Sequence, residues 1–437
     1  VVVRTGDATL VAARAASQDV KTVVDALKAR HRVEADATAR VAQPTAPAAA
    51  RHNEVRRWLF ETALPFWAGA AIDPAHGNIS ETLNLDGTHL APGRDQTLRV
   101  RVAARQLYTF AHARHLGFNG DSDRVIDHAF DYLTRHAWHD DGGFIHLTHR
   151  DGRLLDGHRD TYDHAFALLA LAHMARTTGR ADAAQWFDKT VRFVEDHLRD
   201  ATAGLYLEGL PAVTPRRANP HMHLLEAWLA AYELTGDPAH LTRADAIVER
   251  FYDRFFDAAT WTVTEFMDDT WQPTPGPTGQ ICEPGHHYEW IWLLKRHAAL
   301  GGDATAHDAV CRKLFAHAEA FGRNHATGMI LDAITKDGQI VKGTSRCWPQ
   351  TEALKALLVL ERTGTPGLAP RIDETLSVLL DRSLSDGRPG CWIDASEAAG
   401  KPIAQDIPAS TFYHLFVALT EFLAAPRDLE PSNRPAS

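Results

Sequence analysis

Cysteine is scarce in this chain. Its 437 residues hold four, Cys282, Cys311, Cys347 and Cys391, and none stand at CxxC spacing. That excludes a disulfide-stapled scaffold and a zinc ribbon, and it fits a reduced, cytoplasmic setting. Long apolar runs are missing too, and no signal-peptide pattern opens the chain, so a membrane is not an expected partner. Basic runs are absent and the formal net charge is −10, which argues against nucleic acid. Nothing in the sequence requires a metal or a nucleotide, so no cofactor is expected.

What is present is apolar content and histidine. Hydrophobic residues make up 45% of the chain, enough for a large core in two or three domains or in one closed barrel. Histidine occurs 25 times, so only position can single any of them out. Residues 1–50 differ from the rest. Val1 to Ala12 reads as two short strands around the Gly6-Asp7 turn, a helix is expected over about 17–30, and the Ala- and Pro-rich stretch 41–50 reads as a linker.

From Asn53 a unit of helix, hairpin and second helix repeats six times. The hairpins carry Gly or Asp turns, as at Asp86-Gly87, Asp151-Gly152 and Asp337-Gly338. The second helices open around Arg105, His164, His223, His286, Trp348 and His414, at separations of 59, 59, 63, 62 and 66. Helices over 122–136, 182–199, 238–255 and 303–324 carry charge on one side and read as an outer ring. Second helices that are apolar all round read as an inner ring with their openings at a shared mouth. The expected fold is an all-α (α/α)6 barrel over 51–425, with a small N-terminal appendage and a tail over 426–437. An open α-solenoid is the competing architecture.

The openings bring polar and aromatic residues together. In Glu283-Pro-Gly-His-His-Tyr-Glu289, His286 and Glu289 are three apart on one helical face, so the carboxylate is expected to fix the tautomer of the imidazole. His223 and Glu226 repeat that spacing. Arg105, His164, Arg346, Trp348, Glu352 and His414 supply a cation, further polar groups and an aromatic wall, which together suit a sugar ring. His221 and His223, like the adjacent His286 and His287, diverge too far around a helix to chelate one ion together.

The motifs AARQLYTFA around Arg105, NPHMHLLEA, EPGHHYEW, RCWPQTEA and FYHL, in this order and spacing, resemble the N-acylglucosamine 2-epimerase superfamily over about Asn53 to Ala424. The form EPGHxxEW is similar to its mannose isomerase and sulfoquinovose isomerase branch. The resemblance implies an (α/α)6 barrel and a catalytic histidine pair at His286 and His414. It also implies an enediolate-side arginine at Arg105, a third active-site histidine at His223, and helper carboxylates at Glu226 and Glu289. Separately, DATLVA followed by QDVKTVVDALKA resembles the C-terminal end of mannose-1-phosphate guanylyltransferases. That segment reads as a fusion remnant without guanylyltransferase activity.

The expected function is aldose–ketose isomerisation of D-mannose/D-fructose-type hexoses through a cis-enediolate. His414 would be the C2 base, and His286, oriented by Glu289, the ring-opening acid/base and second proton carrier. Arg105 would face the enediolate, while His223, Glu226, His164, Trp348, Arg346 and Glu352 bind the sugar. The loop 255–285 has no Lys or Arg, which favours an uncharged hexose, although Arg216, Arg217 and Lys342 could bring charge from elsewhere. A 2-epimerase and a mannose-6-phosphate isomerase are the near alternatives. A glycoside hydrolase using Asp268, Asp269 or Glu283, or a non-catalytic sugar-binding protein, is more remote. A small-molecule sugar is the expected partner, for a monomer or homodimer.

Overall fold

The computed structural model describes residues 2–4, 9–11, 48–91, 97–384 and 388–424. The chain divides into two compact units, Val1–Gln43 and Pro44–Ser437. In the first, Val2–Arg4 pairs antiparallel with Thr9–Val11, with Val2 opposite Val11, as expected for strands flanking Gly6-Asp7. The helix expected over 17–30, most of the linker and the tail lie outside the described residues. The end of the linker stretch is already helix: Ala48–Arg56 starts there, because consecutive alanines favour helix rather than loop.

Twelve helices follow among the described residues. The first, α1, covers residues 48–70 and includes a π-helical turn at Arg57–Ala63. The next are α2 (Val100–His115), α3 (Ser122–Arg135), α4 (Thr161–Thr178), α5 (Ala181–Phe193) and α6 (Asn219–Thr235). The series ends with α7 (Pro238–Arg250), α8 (Pro284–Ala299), α9 (Ala304–His317), α10 (Cys347–Arg362), α11 (Ala369–Val378) and α12 (Thr411–Ala424). Helices α5, α7, α9 and α11 run on into π-helical turns, which extends the first three to Leu198, Phe255 and Gly322. No helix among the described residues is long and apolar enough to cross a membrane.

The two rings follow from composition. Helix α4 buries every residue from Asp163 to Met174, as a helix surrounded by others must. Helix α3 buries Val125, Ile126, Ala129, Phe130, Tyr132 and Leu133 and leaves its other side to solvent. Even-numbered helices touch in sequence, and α12 returns to α2. Each later odd-numbered helix packs outside the even one before it, and α1 packs on α12. The ring is therefore a closed (α/α)6 barrel, not a solenoid.

Short strands close the mouth in the same cyclic order. The strand leading into each inner helix pairs with the hairpin of the next repeat: Thr97–Arg99 with Leu147–His149, Arg159–Asp160 with Gly209–Leu210, and Arg216–Arg217 with Phe266–Met267. Ile281–Cys282 then pairs with Ala333–Thr335, Ser345–Arg346 with Ala395–Ser396, and Asp406–Pro408 with Thr82–Asn84. The hairpins thus tie neighbouring repeats together. At the seam between last and first, Trp67 of α1 stacks on Trp392 at 5.0 Å and on Phe412 at 5.6 Å, and its indole N–H donates to the Gly390 carbonyl at 3.0 Å.

Behind this mouth four inner helices use one device. His164 Nε2 accepts from the Phe144 N–H at 2.9 Å, His221 Nε2 from Tyr206 at 2.8 Å, and His287 Nε2 from Val263 at 3.0 Å. Gln350 Oε1 does the same for the Ile330 N–H at 2.9 Å. Each satisfies a buried hairpin donor that would otherwise go unpaired. His164, expected at the sugar, instead supports the wall: its Nδ1 is 2.7 Å from the Asp160 carbonyl, its ring stacks on Phe193, and it is fully buried. His164→Ala should lower unfolding free energy by about 1–3 kcal/mol and leave unchanged the KM of the expected sugar reaction, as denaturant titration and steady-state kinetics would read out. A KM rise without loss of stability would return His164 to the sugar.

Candidate active site

One equivalent position on each inner helix faces the barrel axis near the mouth: Arg105, Phe166, His223, Glu289, Glu352 and His414, spaced 61, 57, 66, 63 and 62 residues apart. Neighbours in this ring touch. The Arg105 guanidinium lies 4.1 Å from the Phe166 ring centre, and Phe166 lies 4.6 Å from His223. His223 Nδ1 is 3.9 Å from Glu289 Oε1, and donor atoms of Glu289, Glu352 and His414 fall within 4.8 Å of one another. His414 Nδ1 is 2.8 Å from Glu352 Oε1. Arg105 completes the circle, donating to the Ser410 carbonyl at 3.4 Å and to the Tyr162 hydroxyl at 2.7 Å.

Each histidine facing the cavity has its own carboxylate. Glu352 holds His414, Glu226 holds His223 at 3.2 Å, and Glu265 holds His286 at 2.9 Å. The partner expected for His286 was Glu289, but Glu289 leans towards His223 instead. Glu265 comes from the preceding hairpin, where a carboxylate recurs in five repeats. Glu81 accepts from the Arg99 N–H at 3.0 Å, Glu208 from Arg217 Nε at 2.6 Å, Asp332 from Arg346 Nε at 3.1 Å, and Asp394 from the Thr411 hydroxyl at 2.7 Å. Read at the repeat period, Glu81, Glu208, Glu265, Asp332 and Asp394 were visible in the sequence as a second recurring feature.

These environments drive the two central histidines apart. Burial, then the charges of Arg105 and Lys355, push His414 well below the ordinary imidazole range, so it is neutral. Burial also pulls on His286, but the charges of Glu265 and Glu283 prevail and raise it to about 10. Burial lowers His223 to about 4 against the opposing pull of Glu226. Burial and the neighbouring Glu352 raise the Glu289 carboxyl well above its ordinary value, whereas His223 and Lys355 overcome burial and hold Glu226 at about 2.

A cavity of about 370 Å³ opens over this floor. Of the expected residues, Arg105, His223, His286, Glu289, Arg346, Trp348 and His414 line it. Glu352 and Glu226 are fully buried beneath and act through His414 and His223. Trp348 stands between the two central histidines, 5.2 Å from His286 and 5.8 Å from His414 between ring centres. Gly285 makes this possible, since a Cβ there would lie 2.5 Å from the indole. Asn219, 3.3 Å from His286 Nε2, also lines the cavity with Tyr162, Arg99, Arg101 and Arg217; none of these was singled out for the site from sequence, although Arg217 was noted as a source of charge. Arg216 is buried against Trp271, and Lys342 sits on an exposed strand away from the cavity lining. Asp268 holds its own turn, accepting from the N–H groups of Thr270 and Gln272.

Three polar atoms in this cavity make no hydrogen bond to the described residues: Arg105 Nε, Asn219 Oδ1 and Glu289 Oε1. Buried groups of this kind wait for a polar ligand. Two triads, His223–Glu226–Glu289 and Glu289–Glu352–His414, are compact enough to surround a cation. Lys355, 2.5 Å from Glu352, and Arg105 already supply positive charge there, so Glu226 and Glu352 read as counter-charges for the protein's own cations.

Comparisons with known proteins agree with this geometry. The family model of N-acylglucosamine 2-epimerase (GlcNAc 2-epimerase) matches residues 78–418. A mannose-6-phosphate isomerase of Rhizobium meliloti is 36% identical over 84% of this chain and 96% of its own. A D-mannose isomerase of Thermobifida fusca is 31% identical over 71% and 79%. Among solved structures, a D-mannose isomerase superposes with a TM-score of 0.76 at 22% identity, covering 85% of this chain and 97% of its own. A cellobiose 2-epimerase of Spirochaeta thermophila gives 0.76 at 24%, covering 86% and 96%. Fold, axial site and sequence kinship converge, and the chain belongs to the N-acylglucosamine 2-epimerase family.

Proposed function

We propose that the protein is an aldose–ketose isomerase acting on D-mannose/D-fructose-type hexoses. The observation that carries the reading is the pair of histidines tuned in opposite senses on either side of Trp348. One neutral imidazole and one imidazolium are a base and an acid ready at the same pH. His286 opens the sugar ring by protonating the ring oxygen. In the open form the C1 carbonyl acidifies the C2 hydrogen, and neutral His414 removes it. The developing enediolate faces Arg105, which keeps its charge throughout. A proton returned to C1 gives the ketose, whereas a proton returned to C2 from the opposite face gives the epimer.

Charge at the mouth favours an uncharged hexose. Four cavity arginines each face carboxylates: Arg99 with Glu81, Arg101 with Asp163, Arg217 with Glu208 and Asp160, and Arg346 with Asp332 and Glu283. Among the described arginines lining the cavity, Arg105 alone pairs with no carboxylate. A second reading, mannose 6-phosphate, draws on the name of the Rhizobium relative and on the number of arginines. Proton NMR of D-mannose in D2O tests the first: fructose should form, and with similar yield in EDTA. Glucose deuterated at C2 would make the protein an epimerase, and turnover confined to mannose 6-phosphate would establish the second reading.

Two further outcomes follow from the site. His286→Ala and His414→Ala should each lower kcat by about a hundred- to ten-thousand-fold while the variants still fold, as circular dichroism would read out; near-normal turnover in either would sink the assignment. The rate should be level across neutral pH and fall as His286 loses its proton near pH 10. Because this value is raised, the protonation of His286 also contributes stability that is fully present at pH about 6.5 and is lost as pH rises through about 10, whereas burial raises Glu265, its partner, so acid titrates the pair from the other side. Glu265→Gln should bring the alkaline limb of the rate profile towards neutrality, and Glu289→Gln should leave that limb closer to its wild-type position. The reverse order would restore Glu289 as the partner of His286.

A further inference from the structure

A second cavity of about 350 Å³ lies on the barrel axis beyond the catalytic floor. Its lining comes from the C-terminal halves of the inner helices: His112 and Arg296 stand in the last turns of α2 and α8, and His173, Trp292, Ala230 and Thr420 complete much of the wall. Its rim reaches solvent, with Leu116 46% exposed and the Glu233 side chain 39% exposed. Glu226 links the two cavities through His223. Glu226 lines the second cavity, accepts from the Tyr413 hydroxyl with one oxygen, and holds His223 Nδ1 at 3.2 Å with the other. His223 lines the catalytic cavity, and its Nε2 makes no hydrogen bond to the described residues.

On the far side His112 Nδ1 lies 2.9 Å from the Tyr108 hydroxyl, and His173 packs 4.8 Å from His112 between ring centres. His173 is only 9% exposed and makes no hydrogen bond to the described residues. An imidazole so enclosed needs a polar partner, which water in the cavity would supply. Burial keeps both imidazoles neutral, so each offers a lone pair as well as a donor.

We propose that Glu226 and His223 form a proton outlet from the catalytic cavity to water in this second cavity. The inference rests on the isomerase reading. His223 accepts a proton at Nε2 as its Nδ1 proton moves to the Glu226 carboxylate, and Glu226 passes it to water behind. Only N–H and O–H bonds change and charge is conserved at each hop. Label taken from C2 by His414 reaches His223 Nε2 through hydroxyls or water in the catalytic cavity, which both imidazoles line. While sugar covers the mouth, this route lets the abstracted hydrogen exchange with solvent before it is returned to carbon.

The test follows deuterium. D-mannose deuterated at C2 is converted in ordinary water, and NMR gives the share of label retained at C1 of fructose. Ala230→Leu narrows the second cavity, and Thr420→Trp obstructs it from a half-buried position. Both should raise retention about threefold or more, with kcat within about twofold of wild type, because a closed site keeps its proton. Equal retention in the wild type and in a folded Thr420→Trp variant, with the plug verified crystallographically, would overturn the outlet and leave the isomerase intact. Full retention in the wild type would overturn it as well. If the wild type neither forms fructose nor exchanges the C2 hydrogen of mannose or mannose 6-phosphate, the isomerase reading falls and the outlet with it.

Discussion

Charge buried on the barrel axis is the constraint on which this structure depends. Glu226, Glu289, Glu352, Lys355 and Arg105 are all buried there, and each isolated ion would cost several kcal/mol. The compensation runs between helices. Glu352 on α10 pairs with Lys355 on the same helix and with His414 on α12. Glu226 on α6 accepts from Tyr413 on α12, and Glu289 on α8 approaches His223 on α6. An open array of the same repeats would leave the ends of this network unpaired. Ring closure and charge neutralisation are thus one requirement, and the Trp67 stack and the strand pair Asp406–Pro408 with Thr82–Asn84 hold together the seam where it would fail first.

The same network sets the chemistry. His286 and His287 are adjacent, yet one is cationic and the other neutral. A single helical step turns a side chain by about 100°, which takes His287 from the cavity to the back of the hairpin, where it accepts the Val263 N–H. Burial without a counter-charge keeps it neutral. His286 stays at the mouth beside Glu265 and Glu283 and holds its proton. His414 lines the cavity and is less completely buried than His287, but it sees Arg105 and Lys355, so its neutrality is electrostatic as well as solvational. An imidazolium, a neutral imidazole at the cavity and a buttress are one residue type in three fields.

The barrel was legible in the sequence because its signals are local and repeated: apolar-all-round helices, turn residues in the hairpins and a period near 60. The central histidines, Arg105 and Trp348 were legible as openings of that repeat. What escaped was orientation and long-range pairing. A period locates the opening of a helix but not its face, so His164 was grouped with His223 although it points behind the wall. The three-residue spacing predicts His223–Glu226 correctly, because both lie on the axial side. It fails for His286–Glu289, because His286 sits off the axial position and meets a hairpin carboxylate 21 residues earlier. Glu352 reaches His414 across 62 residues, and no local rule finds such a pair.

The hairpin carboxylates also bear on selectivity. An arginine held by a carboxylate still has N–H groups to offer, and the carboxylate still has lone pairs. A pair such as Arg346–Asp332 or Arg217–Glu208 therefore presents donors and acceptors side by side, which matches a sugar hydroxyl that must do both. A phosphate dianion has only acceptors to offer to the same rim. It would gain from the arginines and be repelled by Glu283 and Asp394, which line the cavity among them. Burial raises Asp394 to about 6, so near neutral pH it remains largely charged and opposes an anion. The mouth is polar in both senses and close to balanced in charge, and that balance is what an uncharged polyol requires.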